Sequence, residues 1–342
     1  MKALQKTAPG VGNVALREVA EPSPGPGQAL LEVAYTGICG TDLHIYLDEY
    51  RSVPPVTLGH EISARVAALG PGVEGVVEGD RVVTETYFHT CGRCVHCRSG
   101  RPNLCAERRS LGTHVDGGFA RYVLVPAHRL HPVPDQLDER SAALAEPLAC
   151  CIHALYDLAT IRPGDLVVVS GPGPIGLLCL QLAVAAGART VLVGADGDDR
   201  RLETGRAVGA AHLVNASRES LADLVAGLTD GIGPDVCVEA AGAGASLRQC
   251  LEVVRRGGQV VQVGLYARPV EVDVNLIAMK ELRVVGSFAH VPPAWDRGLR
   301  LMADGKIRVE PLISDVQPID GWEAKFESLR ARQDCKVLLT PM

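Results

Sequence analysis

The amino-acid sequence predicts an α/β protein in which a β-rich, turn-rich region is interrupted by a doubly wound parallel sheet. Three observations carry this. Up to about residue 147, short β-branched runs such as ALLEVAYTGICG, ISARVAALGPGVEGVVEGDRVV and RYVLVPAHRLHPVP are broken by Gly and Pro. From about 148 to 286, apolar strands alternate with glycine turns and alanine-rich amphipathic helices, the rhythm of a parallel sheet with helical crossovers. From 287 to 342, one helical stretch (WDRGLRLMADGK) and two short strands (VEPLISDV, CKVLLT) are too few to make a domain, so they are expected to return and complete the first one.

Length agrees with two domains, because 342 residues exceed what one hydrophobic core usually supports. A formal charge of -6 with both signs interspersed gives no concentrated positive footprint, which argues against nucleic acid or an anionic membrane as partner. The first residues, MKALQKTAPGVGNVALREVAEP, contain no apolar export core, and no apolar run approaches the ~20 residues that span a bilayer. The expectation is a cytoplasmic protein acting on a small molecule.

Cysteine usage sharpens this. Of eleven cysteines, Cys39, Cys150, Cys151, Cys179, Cys237, Cys250 and Cys335 lie mostly in apolar segments, where a thiol behaves as a small hydrophobe. The other four, Cys91, Cys94, Cys97 and Cys105, fall within CGRCVHCRSGRPNLC. Such spacing in an intracellular enzyme reads as metal binding, and four thiolates from one loop match the closed tetrahedral shell of a structural Zn2+. The alternative is a redox CxxC pair or unliganded thiols.

In the middle zone, Gly171-Pro172-Gly173-Pro174-Ile175-Gly176 follows the apolar strand LVVVS and opens the helix IGLLCLQLAVAA, the context that gives a GxGxxG pattern meaning. Its glycines allow a tight turn, close approach of a pyrophosphate and close helix packing, while the helix N-terminus offers free N–H groups. An acidic residue about twenty positions on should hold the adenosine ribose, and Asp196 in VLVGADGDD is the candidate. Its alternative is an ordinary turn residue. A carboxylate there favours NAD over NADP, whereas Arg200 and Arg201 could act the other way and accommodate a 2'-phosphate.

Two further motifs in the first zone place candidate ligands at junctions of β-like runs and glycine turns: Cys39 in GICGTDLH and His60-Glu61 in TLGHE. Glu146 in LAEPLAC lies where the chain passes toward the dinucleotide unit. Three S, N and O ligands leave Zn2+ a fourth position for substrate. Singly, each residue reads equally well as a packed thiol or a surface polar group.

Taken in this order and at these separations, GICGTDLH, LGHE, the cysteine loop, EPLAC and GPGPIG resemble the zinc-dependent medium-chain dehydrogenase/reductase superfamily over essentially the whole chain. GHE followed by EP is similar to its sorbitol and threonine dehydrogenase branch, since liver-type alcohol dehydrogenases carry cysteine where Glu146 falls. The resemblance implies a GroES-like catalytic domain, residues 1–147 and 287–342, with a Rossmann domain, 148–286, inserted into it. It implies Cys39, His60 and Glu61 as catalytic zinc ligands with Glu146 as an alternating or water-linked fourth, and Cys91, Cys94, Cys97 and Cys105 as structural zinc ligands. It also implies two zinc ions per chain, a proton relay through Thr41 and His44, and a homotetramer or dimer.

The expected chemistry is hydride transfer from a secondary alcohol to NAD, with NADP as the alternative cofactor. Tyr46, Asp48, Glu49 and Tyr50 beside His44 could recognise hydroxyls or an amino group, or form a solvated loop. GSFAH departs from the sorbitol dehydrogenase pattern, which has arginine where Ala289 falls, and Trp295 is only loosely similar to threonine dehydrogenases. Polyol, vicinal diol and L-threonine-like substrates stay open. The competing reading is a non-catalytic zinc- and nucleotide-binding protein of the same fold.

Overall fold

The structure, a computed structural model, describes residues 1–341. They form two compact units: Met1–Glu146, Val291–Ala303 and Ile313–Met342 make the first, Pro147–His290 and Asp304–Leu312 the second.

The first unit is built on β-sheets, as its Gly- and Pro-broken runs predict. The main sheet orders its strands Leu130–Pro132, Arg81–Thr84, Glu61–Leu69, Gln28–Gly37, Lys336–Thr340 and Ile313–Pro318, with Tyr122–Pro126 also paired to Gln28–Gly37. A smaller sheet joins Val14–Glu18, Lys2–Lys6 and Val56–Thr57. Alternate residues of the strand QALLEVAYTG turn inward, so Ala29, Leu31 and Val33 pack with Ile62, Ala64, Val82 and Val125. A second core gathers Leu4, Ile45, Leu58 and Phe119 with Phe326 and Val337, residues drawn from both ends of the chain. The expected return is therefore physical: Lys336–Thr340 lies antiparallel to Gln28–Gly37, with Leu338 opposite Gly37.

The second unit is a six-stranded parallel sheet in the order His212–Asn215, Arg189–Gly194, Leu166–Ser170, Val236–Glu239, Gln259–Gln262, Arg283–Gly286. Strand order reverses beside Leu166–Ser170, whose five residues are all buried, and ligands of open α/β sheets bind at the carboxyl ends of strands where such a reversal occurs. Helix Pro174–Ala185 starts directly after that strand.

The contact boundaries depart from the expected 287–342 return. The first unit resumes at Val291, and residues 304–312 belong with the second. Arg308 explains this: its N–H donates to Gln181 Oε1 at 2.7 Å, its carbonyl accepts from Gln181 Nε2 at 3.0 Å, and its guanidinium donates to Ala207 O. Among the described residues, no helix is long and apolar enough to cross a membrane.

Candidate active site and zinc centres

The cysteine loop runs between strands Tyr87–His89 and Arg109–Ser110. Its four Sγ atoms all lie within 4.8 Å of one another, with Cys91 at 4.0 Å from Cys97 and 3.6 Å from Cys105. Zn–S bonds of about 2.3 Å at tetrahedral angles set sulfurs about 3.8 Å apart, so the group fits zinc. The N–H groups of Cys91, Cys94 and Cys97 each donate to a neighbouring Sγ at 3.4 Å, a field that favours thiolate. Bonds from the Cys94 and Arg93 amides bring the Cys91 thiol down to about 7, whereas burial pushes Cys97 up to about 12. All eleven cysteines are free thiols.

The catalytic candidates are assembled by a short helix, Gly40–Tyr46, that follows strand Gln28–Gly37. Asp42, at the third helical position, accepts from the Cys39 N–H at 2.9 Å, as a capping-box carboxylate does. Its other oxygen accepts from the Gly59 N–H at 3.2 Å. One fully buried carboxylate thus staples the loop of Cys39 to the loop that carries His60. The Cys39 side chain acts directly on the His60 imidazole and favours its charged form. The Nδ1 of His60 is buried without a hydrogen bond, 3.8 Å from Asp42 Oδ1.

The electrostatics of this pocket favour positive charge. Burial works against a charged His60, yet Cys39, Asp42 and Glu146 together hold its pKa well above the ordinary value. Asp42 itself is pushed up by burial, with His60 and the two amides pulling the other way. Glu146 is buried in the first turn of helix Ala145–Ile152. A thiol, an imidazole backed by a carboxylate, and a nearby carboxylate suit a zinc ion with an open position.

Glu61 is placed differently from the expectation that it ligates metal. Both of its oxygens lie 2.7 Å from Lys336 Nζ, which also donates to Ile38 O at 2.9 Å. Glu61 and Lys336 side chains are only 1% and 3% exposed, so neither charge has water to fall back on. Burial lowers the Lys336 pKa, but Glu61 and Cys39 outweigh it and the ammonium is favoured. Among the described residues, only the four cysteines form a group of three or more ligand atoms all within 4.8 Å. Cys39 and His60 meet, and no carboxylate completes a trio with them at that distance.

Thr41 Oγ1 accepts from Cys39 Sγ at 3.7 Å. His44, further along the same helix, pairs through Nδ1 with Glu49 Oε2 at 2.7 Å, and both side chains are about one-third exposed. Among the described residues no hydrogen bond joins Thr41 to His44.

In the glycine turn, Gly171 sits at φ 108°, and a Cβ there would come within 2.6 Å of Ala241 N. A Cβ on Gly176 would fall 1.8 Å from Gly171 O, so helix and turn approach as closely as only glycine permits. Gly173 differs: nothing lies within 4 Å of its added Cβ, which would project into open space at the helix N-terminus. That is where a pyrophosphate needs bare backbone, so Gly173, Pro174 and Ile175 fit a dinucleotide. Asp196 stands just past strand Arg189–Gly194, and its Oδ1 accepts from Arg218 Nε at 2.7 Å and Asn215 Nδ2 at 3.2 Å. Arg201 is paired at 3.6 Å with Asp198, whose other oxygen accepts from Ala195 N–H.

Asp42, Lys336 and Arg218 are the functional neighbours that sequence reasoning missed. Asp42 left a signal, an acidic residue three positions after Cys39 at a helix start. Lys336 and Arg218 left none, since their partners lie 275 and 22 residues away.

Residues 25–135 match the model of the alcohol dehydrogenase GroES-like domain, and residues 174–304 that of the zinc-binding dehydrogenase. The chain is 42% identical to a sorbitol dehydrogenase of Halalkalibacterium halodurans, covering 100% of both. It is 38% identical to a D-arabitol-phosphate dehydrogenase of Enterococcus avium, covering 99% of the chain and 97% of the relative. A zinc-binding dehydrogenase of Sinorhizobium meliloti 1021, solved bound to NADP, superposes with TM-score 0.92 at 37% identity over 99% of both chains. With both family models matched on the two units that hold the cysteine loop and the glycine turn, the chain belongs to the zinc-dependent medium-chain dehydrogenases of the alcohol dehydrogenase type.

Proposed function

We propose that this protein oxidises a secondary alcohol, of the polyol, vicinal-diol or L-threonine-like kind, by hydride transfer to a nicotinamide dinucleotide, NAD in preference to NADP. The observation that carries the proposal is the Cys39–His60 pair held by Asp42, with Glu146 contributing negative charge to the same imidazole. Zinc in such a site supplies Lewis acidity, which lowers the pKa of a bound hydroxyl toward neutrality. Cys39 and His60 would hold it, with Glu146 as the third ligand, while Cys91, Cys94, Cys97 and Cys105 would hold a second ion. Thr41 Oγ1 would take the alcohol proton by hydrogen bond while releasing its own hydroxyl proton, and His44, about one-third exposed, would pass a proton to solvent. Gly171, Gly173 and Gly176 bind the diphosphate, and Asp196 takes the adenosine ribose.

Preference for NAD is supported by the Asp196 carboxylate, which repels a 2'-phosphate. Arg218, paired to it at 2.7 Å, softens the repulsion and limits the discrimination. Arg201 is already engaged by Asp198 and plays the lesser part. A homo-oligomer, dimer or tetramer, is supported by the edge strand Arg283–Gly286, where Val284 and nearby Met279 are exposed. A cytoplasmic setting accords with eleven free thiols.

The deciding experiment joins zinc analysis to initial rates with NAD and NADP on sorbitol, xylitol, 2,3-butanediol and L-threonine. Two zinc ions per chain with turnover of a secondary alcohol is the expected result. One zinc and no hydride transfer with either cofactor would establish the non-catalytic alternative instead.

A further inference from the structure

We propose that Glu239 is a positioning residue for the nicotinamide half of the dinucleotide: its buried carboxylate fixes the two loops, 240–243 and 263–266, that receive that half. The inference rests on the dehydrogenase reading above and deepens it with a residue that no sequence motif marks.

The sheet of the second unit divides at Leu166–Ser170, with Arg189–Gly194 and His212–Asn215 on one side and Val236–Glu239, Gln259–Gln262 and Arg283–Gly286 on the other. Asp196, assigned above to the adenosine ribose, stands past Arg189–Gly194. A dinucleotide spans the crevice at such a reversal, its diphosphate at the intervening glycine turn. Its nicotinamide half therefore belongs to the carboxyl ends of Val236–Glu239 and Gln259–Gln262. Glu239 and Gln262 are the last residues of those two strands and lie opposite each other in register. The loop after Glu239 is laid directly on the glycine turn: Ala240 N–H donates to Ser170 O at 2.8 Å, and a Cβ on Gly171 would meet Ala241 N. Loop 263–266 is laid on that loop in turn. A Cβ on Gly264 would fall 2.5 Å from Gly242 N, and one on Gly242 would fall 2.4 Å from Leu265 O. The three segments form one continuous backbone surface with no room for a side chain between them.

Glu239 holds this surface from beneath, and it is 0% exposed. Its Oε1 accepts from the Ala241 and Gly242 N–H groups, both at 3.0 Å. Its Oε2 accepts from Gln262 Nε2 at 2.7 Å and from the Tyr266 hydroxyl at 3.0 Å. A carboxylate offers about four acceptor positions, so the two loops and the neighbouring strand use them all. The backbone of the same residue grips the second loop as well, since Val263 and Gly264 N–H groups both donate to Glu239 O at 2.9 Å. Gln262 Nε2 also donates to Gly264 O at 2.7 Å. Burial, and then the charge of Glu239, pushes the Tyr266 phenol up, so the hydroxyl keeps the proton it donates. Among the described residues no cation pairs with Glu239, and these hydrogen bonds alone replace its water. Removing the carboxylate frees two amides and a hydroxyl at once, and the loops then hold the receptive arrangement only part of the time. Apparent affinity falls with that fraction.

The test is calorimetric titration of the full chain with NADH and with ADP, which lacks the nicotinamide riboside. Glu239→Ala should bind NADH about 10-fold or more weakly, while ADP affinity stays within about 2-fold of wild type. Glu239→Gln sets its new amide against Gln262 Nε2, donor against donor, and should lose NADH affinity too. Adding Gln262→Glu to that variant restores the match and should recover most of the loss. Tyr266→Phe removes one donor from a partly exposed position, so it keeps the test alive where Glu239→Ala does not fold, and should cost about 3-fold on NADH alone. NADH affinity unchanged in the variants, or ADP and NADH weakened equally, would overturn the positioning role and leave the dehydrogenase standing. A wild type that binds neither ligand would overturn the dinucleotide reading, and the role of Glu239 with it.

Discussion

Two thiol-bearing regions of the first unit, the loop 91–105 and the Cys39 segment, are organised on opposite plans. In the loop 91–105 four sulfurs converge within 4.8 Å, every ligand comes from one stretch of chain, and three amides point at sulfur. At Cys39 and His60 the candidate ligands come from separate loops, the carboxylates Asp42 and Glu146 act on the imidazole, and the immediate neighbour Glu61 is held by a distant lysine. A closed local cluster serves stability, because nothing further can bind; an incomplete pair with charge in reserve serves chemistry, because something still can.

That contrast can be broken most sharply by a pair of substitutions. His60→Ala should drop zinc content from two ions to one and lower kcat by about 10^4-fold, near 5.5 kcal/mol, with little change in melting temperature. Cys94→Ser should cost the other zinc and at least about 5 °C in Tm while leaving kcat near the wild-type value. Equal effects of the two variants on both readouts would erase the distinction.

Next in size is the reserve charge. Lys336→Met leaves the buried Glu61 without its cation and should destabilise the protein by about 3–5 kcal/mol in urea unfolding. The double variant Glu61→Gln/Lys336→Met should recover most of that loss, and failure to recover would mean that the pair is not the reason for the lysine.

Asp42→Asn addresses how the open pair is oriented. Its effect should appear as about 10–100-fold weaker zinc retention against a chelator, with the slower-exchanging zinc of the cysteine loop unaffected.

The smallest effect concerns how the closed loop is anchored. Arg129 donates to Thr90 Oγ1 at 3.0 Å, next to Cys91, and to Glu85 at 2.8 Å; Glu85 and Asp296 also hold His131, which stacks on Trp295 at 5.4 Å. Burial disfavours the charged His131, but Glu85 and Asp296 prevail and raise its pKa above 6.5. The protonated ring therefore contributes stability fully below pH 6.5, and that contribution fades as pH rises through the elevated value. Thermal unfolding from pH 5.5 to 8.5 should show wild type losing about 1 kcal/mol that His131→Asn never had. Parallel curves would dismiss the anchor.

Much of the molecule was legible from residues alone, and the reason is locality. The cysteine loop and GPGPIG are complete within fifteen and six residues, so spacing states their geometry. Cys39 and His60 were legible as candidates, yet the staple between them is Asp42, which sequence shows only as one more acidic residue in a helix turn. Glu61 was read from its neighbour His60, and the structure binds it instead to Lys336, a pairing that no local pattern encodes. The membership of 304–312 turned on Gln181 and Arg308, again a contact between distant segments.

The bond from Lys336 to Glu61 spans 275 residues, and this orders events during synthesis. A ribosome adding about 5–20 residues per second needs roughly 15–55 s to travel from the acid to its counter-ion. Throughout that interval Glu61 has no Lys336 to pair with. The pair therefore closes only when the last few residues emerge, and a chain released early lacks it.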